Sequence, residues 1–152
     1  MSGAAAEFGF WQALGRKTGV RDDVGPVDWA RLERRTSPND SFFGEESVAP
    51  LARADGAAPL FDETPLALMQ KLRAVALAEP RTQELYEGGA AGTHLRFVQR
   101  SWLLGYPDII DAMAYPRGEG SSLALYSRSL VGRSDLGVNR ARIERWLNRL
   151  RG

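Results

Sequence analysis

The stretch from Ser122 to Leu150 constrains the fold most, because its periodicity changes midway. Leu123 and Leu125 share one face of a strand that continues through Ser127-Arg128-Ser129-Leu130-Val131-Gly132. Ile143, Trp146, Leu147 and Leu150 then fall at i, i+3, i+4 and i+7, with Arg142, Glu144, Arg145, Asn148 and Arg149 on the other side. A strand must therefore feed an amphipathic helix, expected from about Leu136 to Leu150. Ser134 and Asp135 stand before it as cap and dipole-matching anion, and Arg149 and Arg151 follow at the end that favours cations. Such a helix has to lay its apolar stripe on a sheet.

The preceding residues supply the sheet. Pro59-Leu60-Phe61 reads as a short strand. Thr64-Pro65 offers an N-cap and a proline at the first helical position, and Leu68, Met69, Leu72, Val75 and Ala76 follow at helical spacing until Pro80, which predicts a helix over 65–79. Thr82–Tyr86 is the next strand. In His94–Leu104, Leu95, Phe97 and Leu103 alternate with Arg96, Arg100 and Trp102, the pattern of a half-buried antiparallel strand. After a turn at Gly105-Tyr106-Pro107-Asp108 come strands Ile109–Tyr115 and Ser122–Val131, joined by a hairpin loop over 116–120. The expected class is α+β: an antiparallel sheet of about four to five strands on two helices, in the order β-α-β-β-β-β-α.

This organisation places an α+β domain at 58–152 and an irregular N-terminal arm at 1–57, rich in Gly, Ala, Pro, Asp and Arg. Phe8, Phe10, Trp11, Trp29, Phe42 and Phe43 are too apolar to leave in water, so parts of the arm are expected to pack across the domain. A short helix at Val27–Arg34 fits the pattern. Phe8–Leu14 could instead form a small amphipathic segment that docks on a partner or a membrane surface.

Twenty basic against nineteen acidic residues leave a net charge of +1, which removes any bulk attraction to nucleic acid or to an anionic membrane, so any binding must come from a local patch. Cysteine is absent and His94 is the single histidine, so no disulfide, thiolate nucleophile or histidine-rich metal site is expected. The first residues lack a secretory pattern and no apolar run is long enough to span a bilayer, so a cytoplasmic location is expected, without metal or cofactor.

Several polar residues stand where chemistry could occur. Ser134, Asn139 and Arg140, at the start of the last helix, could bind a phosphate or carboxylate, or could simply cap and tie the corner that Gly132 and Gly137 allow. Asp135 favours the structural reading, because it occupies the place of an anion. Asp108 and Asp111 could bind a divalent cation or pair as acid and base, or serve as turn caps and as partners of Arg96, Arg100 and Arg128 on neighbouring strands, in a buried network, which is the favoured reading. No G-x-S-x-G accompanies His94, so no catalytic residue is assigned.

The run Gly132-x-Ser134-Asp135-x-Gly137-x-Asn139-Arg140-x-Arg142 resembles the C-terminal motif of the bacterial and plastid family called domain of unknown function 1499 (DUF1499). Gly105-Tyr106-Pro107-Asp108 is similar to that family's aromatic-then-acidic turn, and the likeness extends over about 38–150, including Pro38-Asn39-Asp40. Leu130 stands where the family often has arginine, and Ile109 where it often has a second acid. The resemblance implies one domain and no reaction. The expectation is a non-enzymatic domain that binds a protein partner through the arm, or a small anionic ligand. The alternatives are an enzyme acting on an anionic molecule at Arg96, Arg100, Arg128, Ser134 and Asp108, and an accessory subunit of a larger complex.

Overall fold

The computed structural model describes residues 27–89 and 92–152. Five strands, β1 (Asp40–Phe43), β2 (Thr82–Gly88), β3 (His94–Arg100), β4 (Pro107–Arg117) and β5 (Gly120–Ser129), form an antiparallel sheet in the order β1-β5-β4-β3-β2. Helices α1 (Pro65–Leu77) and α2 (Val138–Arg151) cover one face. The α+β class and the element order hold, yet the first strand is a different one. Pro59–Phe61 makes only an isolated bridge, Phe61 opposite Ser121, whereas Asp40–Phe43, expected within the irregular arm, is the edge strand beside β5. The bridge is tight: a Cβ on Gly120 would stand 1.9 Å from the Phe61 carbonyl oxygen, so only glycine fits there.

Strand parity sorts the sheet's residues between two faces. Leu95 and Phe97, Ile110, Ala112 and Ala114, and Leu123 and Leu125 meet Leu68, Met69 and Leu72 of α1 and Ile143, Trp146 and Leu147 of α2. Trp146 is fully buried and stands edge-on to Phe97, ring centroids 5.8 Å apart at 89°. On the other face Trp29, Leu32, Phe42, Ala49, Ala52, Ala124 and Tyr126 form a second apolar cluster. Phe43, from the same segment as Trp29 and Phe42, lies instead in the helix-side core. Phe8, Phe10, Trp11 and the segment Phe8–Leu14 lie outside the described residues.

Local chemistry sets the element ends. Thr64 Oγ1 accepts the Ala67 N–H at 3.2 Å, with Pro65 opening α1 as its spacing predicts. Strand β3 does not run on to Leu104. Arg100 Nη1 donates to the Gly105 carbonyl at 2.7 Å and Ser101 N–H to the Tyr106 carbonyl at 3.0 Å, which folds residues 101–104 into a turn before Gly105, whose φ is +66°. Val27–Arg34 forms only a single 3-10 turn at Trp29–Arg31. Helix α2 begins at Val138, after Gly137 at φ +83°, and Asp135, not Ser134, receives its first N–H groups, from Gly137 at 2.9 Å and Asn139 at 3.1 Å. No helix among the described residues is long and apolar enough to cross a membrane.

Candidate functional site

Ser127 and Ser129 of β5 face the start of α2, where Asn139 and Arg142 account for them. Asn139 is fully buried; its Nδ2 donates to Ser129 Oγ at 2.9 Å, to Asp135 Oδ2 at 2.7 Å and to the Asn39 carbonyl at 3.1 Å, and its Oδ1 accepts from Ser127 Oγ at 2.6 Å. Arg142 spreads its guanidinium over Gln99 Oε1 (2.7 Å), Ser127 Oγ (2.8 Å), Asn139 Oδ1 (2.8 Å) and Asp108 Oδ2 (2.7 Å). Every nitrogen and oxygen of these two side chains has a partner, which is what a polar group needs in a low-dielectric interior. Ser127 and Ser129 are hydroxyls because a helix amide and a guanidinium reach them. Ser134 Oγ accepts the Leu136 N–H at 3.3 Å within the loop, and Arg140 lies on the surface in an i, i+4 pair with Glu144 at 2.9 Å.

Beside this hub, where α1 ends and β3 meets β4, opens a cleft of about 420 Å³ lined by Glu79, Arg81, Gln99, Arg100, Asp108, Arg142, Arg145 and Arg149, with Val138 at its edge. Five arginines and two acids are among its lining residues, a strong local excess in a chain that is nearly neutral overall, though Arg100 and Arg142 are buried with their guanidinium groups committed to protein partners. Glu79 is the pivot. It accepts Arg145 Nε at 2.6 Å and Nη2 at 2.8 Å, Arg149 Nη1 at 3.3 Å and Gln99 Nε2 at 2.7 Å. Burial works against its charge, yet the bonds from Arg145 and Gln99 outweigh it and hold the carboxyl at about 2. One carboxylate serves two arginines, whose side chains stay roughly half exposed, so N–H groups are left to face the cleft. Arg81 stands at φ +54°, a left-handed backbone rare outside glycine, and its Nε holds the Arg100 carbonyl at 3.0 Å.

The residues singled out in the sequence therefore divide. Arg100 and Asp108 line the cleft. Arg96, Asp111 and Arg128 lie on the opposite face of the sheet, where Asp111 takes Arg96 Nε at 2.8 Å and Arg128 Nη1 at 2.8 Å. The expected Asp–Arg network exists there. Asp108 does not join it: strand parity turns its side chain to the helix face, so its partner is Arg142 and not a strand arginine. Ser134, Asn139 and Arg140 belong to the corner. The set Arg96, Arg100, Arg128, Ser134 and Asp108 is not brought to one place.

His94 accepts a hydrogen bond from Trp29 Nε1 through Nε2 at 3.0 Å, and burial, helped by Arg96 and opposed by Asp111, pushes its pKa down. The neutral ring is thereby tied into the second apolar cluster.

Sequence reasoning missed Glu79, Arg81, Gln99, Arg145 and Arg149. One signal was present: Arg142, Arg145 and Arg149 recur at i, i+3 and i+7, a basic stripe flanking the apolar one. Among the described residues no group of three or more His, Cys, Asp or Glu side chains could hold a metal ion.

A family model described as "Protein of unknown function (DUF1499)" matches residues 35–150. No curated protein and no solved structure matches the chain.

Proposed function

The chain belongs to the DUF1499 family, and from that premise we propose that it is a cytoplasmic, non-enzymatic binding domain whose arginine cleft takes a small anionic ligand. The observation that carries this reading is the excess of five arginines over two acids along the cleft, with Arg145 and Arg149 sharing Glu79 while staying about half exposed. Arginine forks suit carboxylate and phosphate oxygens, and an incoming anion would compete with Glu79 for Arg145 and Arg149. Binding rather than proton transfer is favoured because Glu79 is held near 2, far below the neutral range where a general base works best. Service as an accessory subunit, or docking of a protein through the N-terminal arm, is compatible with such a module.

The test is calorimetric titration with inorganic pyrophosphate as a probe anion. The parent chain should bind it, and the double substitution Arg145→Gln with Arg149→Gln should weaken binding by about tenfold or more. Because Glu79 then loses its cationic partners, the variant should still unfold cooperatively but at a lower temperature, and binding is compared well below that transition. No heat of binding to the parent, or equal binding by the double variant, would overturn the reading.

A further inference from the structure

Resting on that anion reading, the structure assigns the cleft end of the sheet as a surface for docking on an anionic lipid membrane, with lipid headgroup phosphates in the arginine cleft and an apolar tip in the interface. The tip is the turn between β3 and β4. Trp102 and Leu103 are each 70% exposed and Leu104 48%. Three consecutive large apolar side chains in water are unusual on a surface with no function for them. The backbone of the turn is pinned at both ends by Arg100 to the Gly105 carbonyl, Ser101 to the Tyr106 carbonyl and the Tyr106 N–H to Ser101 Oγ at 3.0 Å. The side chains are thus presented on a fixed platform.

Topology places the tip and the cleft together. The end of β3, the start of β4 and the end of β5 share one end of the sheet, and Arg100 and Ser101, which lead into the tip, also line the cleft. The loop leaving β5 at that end carries Leu136, 94% exposed and at φ +53°, and Val138, which opens α2 and borders the cleft. A β-branched or leucine side chain at such a place makes no contact that would repay its exposure within the chain. Tryptophan is the residue that best suits the boundary between headgroups and acyl chains, and arginine the one that best grips phosphate. The occupant is chosen by this charge complementarity. A neutral protein groove would satisfy the leucines and add no anion for Arg145 and Arg149, which share one carboxylate, whereas an anionic bilayer suits both at once.

The full chain is sedimented with vesicles of phosphatidylcholine alone and with vesicles containing about one-third phosphatidylglycerol. At moderate salt the anionic vesicles should bind about tenfold more protein than the neutral ones, and most of it should be released at about 0.5 M salt. Replacing the tip by Trp102→Ser, Leu103→Ser and Leu104→Ser should cut vesicle binding by about tenfold while leaving pyrophosphate binding unchanged. Should that triple variant fail to fold, Trp102→Ser alone and Leu136→Ser alone serve in its place, each with a smaller loss. Pyrophosphate binding without vesicle binding would overturn the membrane assignment and spare the cleft; absence of both would remove both. Vesicle binding equal in parent and tip variants would also overturn it. So would a concentration-dependent dimer abolished by the tip substitutions, which would give the patch to a second copy of the chain.

Discussion

Asp111 and Arg96 face each other across the β3–β4 ladder and close a two-pronged ion pair, Nε to Oδ1 at 2.8 Å and Nη2 to Oδ2 at 3.1 Å, with neither side chain reaching water. Arg128, from the strand on the other side, shares the same carboxylate at 2.8 Å and lies over the Tyr126 ring at 5.1 Å. Three adjacent strands are thus tied by one acid.

Asp111→Asn should lower the unfolding free energy by about 3 to 5 kcal/mol, because removing one member of a buried pair leaves the other charges uncompensated. Urea denaturation reads this directly, and a loss below about 1 kcal/mol would mean that water reaches the site. Arg128→Ala, which an enzyme acting at this residue would tolerate structurally, is expected to lower the thermal midpoint for the same reason.

Within the family motif the residues should separate by burial rather than by their place in the motif. Asn139→Ala strips partners from Ser127, Ser129, Asp135 and Arg142 together and should cost about 2 to 4 kcal/mol. Arg140→Ala, on the surface one position later, should change stability by no more than about 0.5 kcal/mol. Thermal unfolding of the two variants side by side tests the contrast; equal losses would contradict it.

Glu79 links stability to pH. Its folded pKa, about 2, lies below the ordinary value of 4.5, so the unfolded chain binds its proton first. Its contribution is complete above about 4.5 and is lost as pH falls from there toward 2, a change on the order of 3 kcal/mol. Glu79→Gln should flatten that part of the stability profile. At pH 7 the same substitution frees Arg145 and Arg149 and should tighten pyrophosphate binding by about fivefold, since a neighbouring carboxylate competes by roughly 1 kcal/mol. Denaturation at stepped pH and titration at pH 7 measure the two effects separately.

The sequence was most readable where periodicity and burial agree. Ile143, Trp146 and Leu147 announced α2 because the helix meets the sheet on one side only. Asp40–Phe43 was hidden because a four-residue strand among prolines and acids has no period of its own; β5 makes it a strand. Trp102 and Leu103 continued the alternation of β3 on paper, while Arg100 and Gly105 had already ended the strand in space. The cleft was obscured by its own chemistry. Arg145 and Arg149 look like any solvated helix face until Glu79, read only as the residue before a helix-stopping proline, is seen to gather them. Ser127 and Ser129 share the face of Leu123 and Leu125, yet they are hydroxyls whose partners lie across the strand-to-helix corner, and nothing in the residue spacing announces them.

The bond from Asn139 Nδ2 to the Asn39 carbonyl joins residues one hundred positions apart. On the ribosome β1 is made early and has no ladder to join until β5 has emerged, and the corner that anchors it is unfinished until Asn139 follows. The sheet must therefore grow from the β3–β4–β5 meander, with β1 added as its closing strand. Until then Trp29 and Phe42 belong to a nascent chain that lacks Ala124 and Tyr126, the β5 residues on which they pack.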